Sequence, residues 1–301
     1  MLNLSKRKAD ADEGRFGFGK NWQQFLRLLD EDRIHEAEKS LCDMLRIGDM
    51  SGRSFIDVGC GSGLFSLAAM RLGASHVHSL DYDAQSVACA HELKSRFFPD
   101  AARWTIERGD ALDRKYLTGL GTYDVVYSWG VLHHTGNMWQ GIENVLMLVA
   151  DKGKLFIAIY NDGGTKSRRW HKLKYLYNRS LLYRIAITGI FIPLNVTRNL
   201  ISDLSRLKSP FKRYREYKKK RGMSVLRDWI DWFGGYPYEF AKPEEVAAFC
   251  RDRGFETIVS VNKSPGSALG NIEYILVKSP AVEQIANNEN HHSEERILRQ
   301  A

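Results

Sequence analysis

Residues 55 to 65 read FIDVGCGSGLF: an apolar run, glycines at alternate positions, then a segment able to open a helix. A strand, a glycine-rich turn and a helix N-terminus set backbone N–H groups and a positive dipole beside a ligand. The turn departs from two phosphate-binding patterns. In GxGxxG counted from Gly59 the third glycine is replaced by Leu64, and counted from Gly61 it is replaced by Ser66. A Walker loop is excluded because no GK[ST] follows, so no lysine meets a phosphate.

Around this turn, Val-, Ile-, Phe- and Leu-rich runs alternate with helical patterns, as in βαβ units. Strands are predicted near Ser54 to Val58, His76 to Leu80, Trp104 to Arg108, Tyr123 to Ser128, Lys154 to Tyr160, Thr257 to Val261 and Glu273 to Val277. Helices are predicted over Leu64 to Leu72, Ala84 to Phe97, Met138 to Val149 and Pro243 to Asp252, with Pro243 at a first helical position. Asp83 reads as a helix-start acid. The pattern predicts an α/β fold: a doubly wound, mostly parallel, seven-stranded Rossmann-like sheet with N-terminal helices and a helical insert after strand five. The expected organisation is a helical cap over 1–50, a core of 51–164 and 236–280, a basic insert over 165–235 and a flexible tail over 281–301.

At 301 residues with 44% hydrophobic composition, the chain can bury one substantial core plus an elaboration. No N-terminal apolar segment follows MLNLSKRKAD, and no uninterrupted apolar run approaches the ~20 residues that cross a bilayer. Cys42, Cys60, Cys89 and Cys250 lack metal-ligand or disulfide spacing, so the expectation is a cytoplasmic protein without a metal. The net charge of +8 is concentrated: Lys166 to Arg221 holds 17 Lys and Arg against Asp203 and Glu216.

The stretch Asp57-Val-Gly59-Cys60-Gly61-Ser-Gly63 carries an acid two residues ahead of its first glycine. Such a carboxylate repels a pyrophosphate but suits a ligand bearing an ammonium and a sulfonium. Here the chain resembles the class I S-adenosylmethionine (SAM)-dependent methyltransferases, whose first motif is (D/E)xGxGxG. Further stations follow in order. Asp81 stands where the family's acid binds both ribose hydroxyls, and Asp110 where its acid faces the adenine amino group, with Ala111 offering a backbone N–H. YDVVYSWGVLHHT, residues 123 to 135, matches the fourth strand and turn that border the methionine moiety, which brings in Ser128 and Trp129. Tyr82 either flanks the adenine or is a plain surface tyrosine. The resemblance implies SAM as cofactor, S-adenosylhomocysteine as product, and a general layout like the ubiquinone- and menaquinone-biosynthesis methyltransferases.

Methyl transfer from a sulfonium is an in-line displacement that needs a base only where the acceptor is protonated at neutral pH. His133 and His134, after strand four, are the candidate bases; alternatively one is a packed histidine shaping the turn. Trp129 and Tyr160 stand at the carboxyl ends of strands four and five, where open α/β sheets bind ligands, and each reads equally as a core residue. In WIDWFGGYPYEF, residues 229 to 240, Tyr236, Tyr238 and Glu239 form either a substrate wall or a plug joining insert to sheet. Lys20, Asn21 and Trp22 are candidates for a lid.

Three readings of the insert compete: cover for a small-molecule metabolite, RNA-binding surface, or part of a non-catalytic SAM-binding module. The first is favoured, with a hydroxyl oxygen as acceptor, because no RNA-binding domain or [DNS]PP[YFW] motif is present and RIAITGIFIPLNVTR, residues 184 to 198, has an apolar centre. That centre reads as far too short to span a membrane. The basic residues would suit contact with a membrane surface or an acidic carrier protein.

Overall fold

The computed structural model describes residues 19–205, 209, 232–262 and 270–278. The tail, residues 15–18 of the N-terminal segment and the KRYREYKKKR stretch of the insert lie outside the described residues. Two helices, α1 (Gly19–Leu26) and α2 (Glu31–Leu45), precede the sheet. Then come β1 (Ser54–Val58), α3 (Leu64–Arg71), β2 (His76–Asp81), α4 (Ala84–Phe97), β3 (Trp104–Arg108), α5 (Arg114–Gly119) and β4 (Tyr123–Trp129). After a 3-10 turn at Leu132–His134 follow α6 (Met138–Leu146), β5 (Val149–Tyr160), α7 (Thr165–Arg179), α8 (Leu181–Ser205), α9 (Pro243–Arg251), β6 (Phe255–Asn262) and β7 (Asn271–Lys278).

The strands form one sheet in the order β3-β2-β1-β4-β5-β7-β6. The five strands from β3 to β5 are parallel, while β7 runs antiparallel to β5 and to β6. The mostly parallel seven-stranded expectation therefore holds. Both faces of the sheet are covered, which is why its strands read as continuous apolar runs. On one face Ile56, Val126, Leu155 and Ile157 pack with Ile142 and Val145 of α6 and Val246 of α9. On the other, Phe55, Val77, Tyr127 and Phe156 meet Leu41 of α2, Leu67 of α3 and Leu93 of α4.

Local chemistry explains the boundaries. Asp83 caps α4, accepting the Gln85 N–H at 2.8 Å, and also takes the Gly19 N–H at 2.9 Å, which ties α1 to the start of α4. Arg96 donates to the Leu26 carbonyl at 3.1 Å and secures the other end of α1. At α9, Pro243 occupies the first turn and Glu245 accepts the Lys242 N–H at 2.9 Å.

Two expectations are corrected. The helix expected through Val149 ends at Leu146, because Val149 already pairs with Tyr123 and β5 enters the sheet before the register shift near Val125. The apolar centre of the insert is not a short segment. It lies inside the 25-residue helix α8, which is long and apolar enough by length and composition to cross a membrane. Thr188, Asn195, Thr197 and Asn199 interrupt the apolar run in the sequence, yet a helix distributes them around its axis rather than ending at them.

Candidate active site

The parallel strand order aligns the predicted cofactor residues along the carboxyl edge of the sheet. Asp110 and Ala111 follow β3, Asp81 ends β2, the glycine turn follows β1, and Ser128 and Trp129 end β4. Gly59, Gly61 and Gly63 all have positive φ, at 83°, 55° and 80°. These values favour glycine. Side chains would also collide: a Cβ on Gly59 would fall 2.4 Å from Val131, and one on Gly61 2.8 Å from the Trp22 ring. Trp22 therefore joins α1 to the glycine turn, and its ring meets Phe25 edge-on at 6.0 Å.

Asp81 organises the turn as well as ending β2. Its carboxylate accepts the Gly61 N–H at 2.9 Å and the Asp83 N–H at 2.8 Å. Asp110 accepts the Leu112 N–H at 2.9 Å, and the carbonyl of buried Ala111 takes a bond from Asn144 at 2.9 Å. Tyr82 lies under the Arg108 guanidinium, 5.4 Å from its ring centre, while Arg108 Nε donates to the Tyr82 carbonyl. Ser128 is buried and donates to the Val58 carbonyl at 2.8 Å. Trp129 is 45% exposed, and its indole N–H donates to Glu273 on β7 at 2.8 Å.

Asp57 is buried beneath the glycines and held by a relay absent from the sequence reading. Trp104 Nε1 donates to Ser79 Oγ at 2.8 Å, Ser79 to Ser66 Oγ at 2.7 Å, and Ser66 to Asp57 Oδ2 at 2.7 Å. Burial pushes the Asp57 carboxyl up to about 7; the Ser66 bond opposes the rise, and the charge of Asp81 adds to it. Cys60 is also buried, and burial first, then Asp57 and Asp81, pushes its thiol well up, which suits a packed rather than a reactive sulfur. A buried carboxylate of this kind is relieved by a cation. The Asp57 environment, the close glycine cradle and the two-oxygen acceptor Asp81 thus fit a ligand bearing an ammonium, a sulfonium and a diol. These residues would hold SAM.

A second cluster gathers around Tyr160 at the end of β5. Tyr160 ends β5, with ring centres 4.0 Å from His133, 5.5 Å from His134 and 4.9 Å from Tyr238. His133 is 1% exposed, and among the described residues neither ring nitrogen has a hydrogen-bond partner of good geometry. Burial first, then His134 and Lys174, holds its pKa well below the usual histidine range. His133 is a neutral packing ring in this arrangement. His134 differs, because its Nδ1 lies 2.5 Å from the Pro237 carbonyl. A carbonyl only accepts, so Nδ1 carries the proton and the lone pair of the neutral ring falls on Nε2.

Glu239 closes the cluster from the far side of the insert. Its N–H donates to the His133 carbonyl at 2.9 Å, and its carboxylate accepts the Met138 N–H at the start of α6. Burial pushes its carboxyl up to about 7 against those backbone bonds. Tyr236 turns to α7 instead, 6.0 Å from His171 and 5.8 Å from Tyr175. Lys174 was not singled out by sequence. It is 1% exposed, donates to the Trp232 and Gly235 carbonyls, and lies over the rings of Trp232 and Tyr238. Burial brings its pKa down to about 7. In a helix with five other Lys and Arg residues, nothing in the sequence separates it from its solvated neighbours.

With this geometry in view, comparison with known proteins defines the class. Residues 56–155 match the family model described as a methyltransferase domain. The domain is of the class I SAM-dependent type. The chain is 50% identical over 52 residues, 17% of its length, to the ribosomal protein L11 methyltransferase of Legionella pneumophila strain Lens, and spans 18% of that relative. It is 40% identical over 63 residues to the same-named protein of Psychrobacter cryohalolentis, of which it spans 20%. The structure of PKMT2 from Rickettsia typhi in complex with AdoHcy superposes with a TM-score of 0.52 at 10% identity, over 80% of this chain and 52% of that one. The chain thus spans about a fifth of the curated relatives it matches.

Proposed function

We propose that the protein transfers a methyl group from SAM to a hydroxyl oxygen of a small-molecule metabolite, apolar or anionic in character. SAM supplies an electrophilic methyl on a positively charged sulfur. In this reading the glycine turn and Asp81 orient the cofactor, Asp57 faces its cationic portion, and Asp110 with Ala111 meets the adenine. His134 Nε2 would take the acceptor's hydroxyl proton, and the methyl group that bound SAM would supply would pass from sulfur to that oxygen, leaving neutral S-adenosylhomocysteine. Tyr160 and Tyr238 would flank the acceptor with apolar rings.

The observation that carries the oxygen-acceptor reading is the His134 contact with the Pro237 carbonyl, which sets the ring's tautomer, with its proton on Nδ1, at the turn after β4. The aromatic cluster of Tyr160, Tyr238 and His133 supports an apolar acceptor over a phosphate-rich one. The test is tritium transfer from S-[methyl-³H]adenosylmethionine into cell extract, with Asp81→Ala as blank and with organic, aqueous, RNA and protein fractions separated. Label in the organic or small-molecule fraction supports the reading. Label in RNA or protein sinks it, and no label above the blank would favour a non-catalytic SAM-binding module. A cytoplasmic location at the inner face of a membrane accords with this function and is checked by fractionating cells.

A further inference from the structure

Helix α8 leaves many of its apolar residues exposed on its outer face. Leu182, Ile190, Leu194, Leu200, Ile201 and Leu204 are 41–79% exposed. At ~100° per residue they fall within an arc of about 120°, and no Lys, Arg, Asp or Glu falls inside that arc from Leu181 to Ser205. The opposite face carries half-buried Asn195, Asn199 and Ser202 and buried Asp203. This is the reverse of a soluble surface helix, which turns its apolar stripe to the core. The stripe runs the length of the helix, roughly 37 Å at 1.5 Å per residue.

We infer that α8 docks lengthwise on an anionic lipid bilayer, its outer face among the acyl chains and the surrounding basic residues at the headgroups. The chemistry of its surroundings selects this occupant. Lys166, Arg168, Arg169, Lys172 and Arg179 of the adjoining α7 are exposed. Residues 206–221, which follow α8, contain nine Lys and Arg and one acid, Glu216, so their composition suits headgroup phosphates rather than cover for an apolar stripe. A second copy would bring two strongly basic windows together. The helix lies on the membrane rather than crossing it, because its inner face is committed to the protein: Phe191 packs 4.4 Å from Phe233 and 6.3 Å from Trp170, and Arg184 reaches back over Tyr177. The inference stands on α8 and does not depend on the identity of the acceptor.

The test is flotation of the full chain with phosphatidylcholine vesicles, with and without phosphatidylglycerol. Binding is expected to the anionic vesicles, weakened by salt, and reduced at least tenfold in the triple variant Ile190→Glu, Leu194→Glu, Ile201→Glu. SAM binding measured by calorimetry should be unchanged in that variant, which shows that its fold survives. A Leu194→Trp variant should gain a blue-shifted fluorescence component on anionic vesicles. No flotation by the folded chain, equal flotation of the triple variant, or resistance to an alkaline carbonate wash would overturn the proposal. So would a dimer in sedimentation equilibrium that the triple variant abolishes, or retention of RNA without retention of vesicles.

Discussion

Strand β5 and helix α8 are comparably apolar in sequence and have opposite fates. From Leu155 to Ile159 every residue of β5 is at most 3% exposed, because β4 and β7 satisfy its backbone and helices cover both faces. Helix α8 satisfies most of its own backbone internally and needs no neighbouring strand, so it forms without covering its outer side chains. Apolarity therefore marks burial in the protein for β5 and an outward surface for α8. The deciding property is where the backbone finds its hydrogen bonds. Polar groups divide in the same way, since the sheet region buries ionisable side chains such as Asp57 and Glu239 beside its carboxyl edge.

The contrast can be broken most severely at that edge. His134→Ala should lower kcat by about 10²- to 10⁴-fold while leaving SAM affinity intact, as expected for a general base. Turnover that stays unchanged from pH 6 to 9 in this variant would remove His134 from the reaction. Within the core, Ile157→Ala should cost about 2–5 kcal/mol in denaturant unfolding, the usual range for a fully buried large-to-small change. A cost below the lower bound would mean that the sheet packs more loosely than β5 implies.

Asp57 provides a pH-dependent comparison. Its carboxyl is raised to about 7, so acidification below that pH protonates it and removes its attraction for the cationic ligand. SAM affinity by calorimetry should fall by up to about tenfold per pH unit below 7. For the ligand-free protein the sign reverses: a raised folded pKa contributes stability at acid pH that is lost as pH rises through about 7. Asp57→Asn should therefore raise the melting temperature at pH 8 more than at pH 5 while weakening SAM binding at pH 8. A flat affinity profile would separate Asp57 from the cofactor's charge. The smallest effect belongs to α8, where Ile190→Ala should change solution stability by no more than about 0.5 kcal/mol. A larger loss would show that the outer face has a partner within the chain.

Much of the sheet was legible because its signals are local. Alternating strand and helix patterns located every strand of the sheet, and the Asp57–Gly63 stretch marked the turn whose three positive φ angles appear in the fold. Helix α5 leaves little signal because six residues offer little periodicity, and the start of β5 reads as helix because Val149 continues the apolar pattern of α6. The Trp104–Ser79–Ser66–Asp57 relay joins β3, β2, α3 and β1, so no local window contains it. His133 and His134 are adjacent in sequence, yet one packs between neighbours and the other meets the Pro237 carbonyl from the far end of the insert.

Sequence alone determined the order of elements, the glycine turn and the acids at successive strand ends, because chain periodicity and backbone freedom are properties of a few neighbouring residues. Tertiary structure alone decided that Asp57 and Glu239 are raised to about 7, that Lys174 is lowered to about 7, and that α8 faces outward with its apolar side. Burial and electrostatic surroundings depend on residues distant in the chain, and only the folded arrangement brings them together.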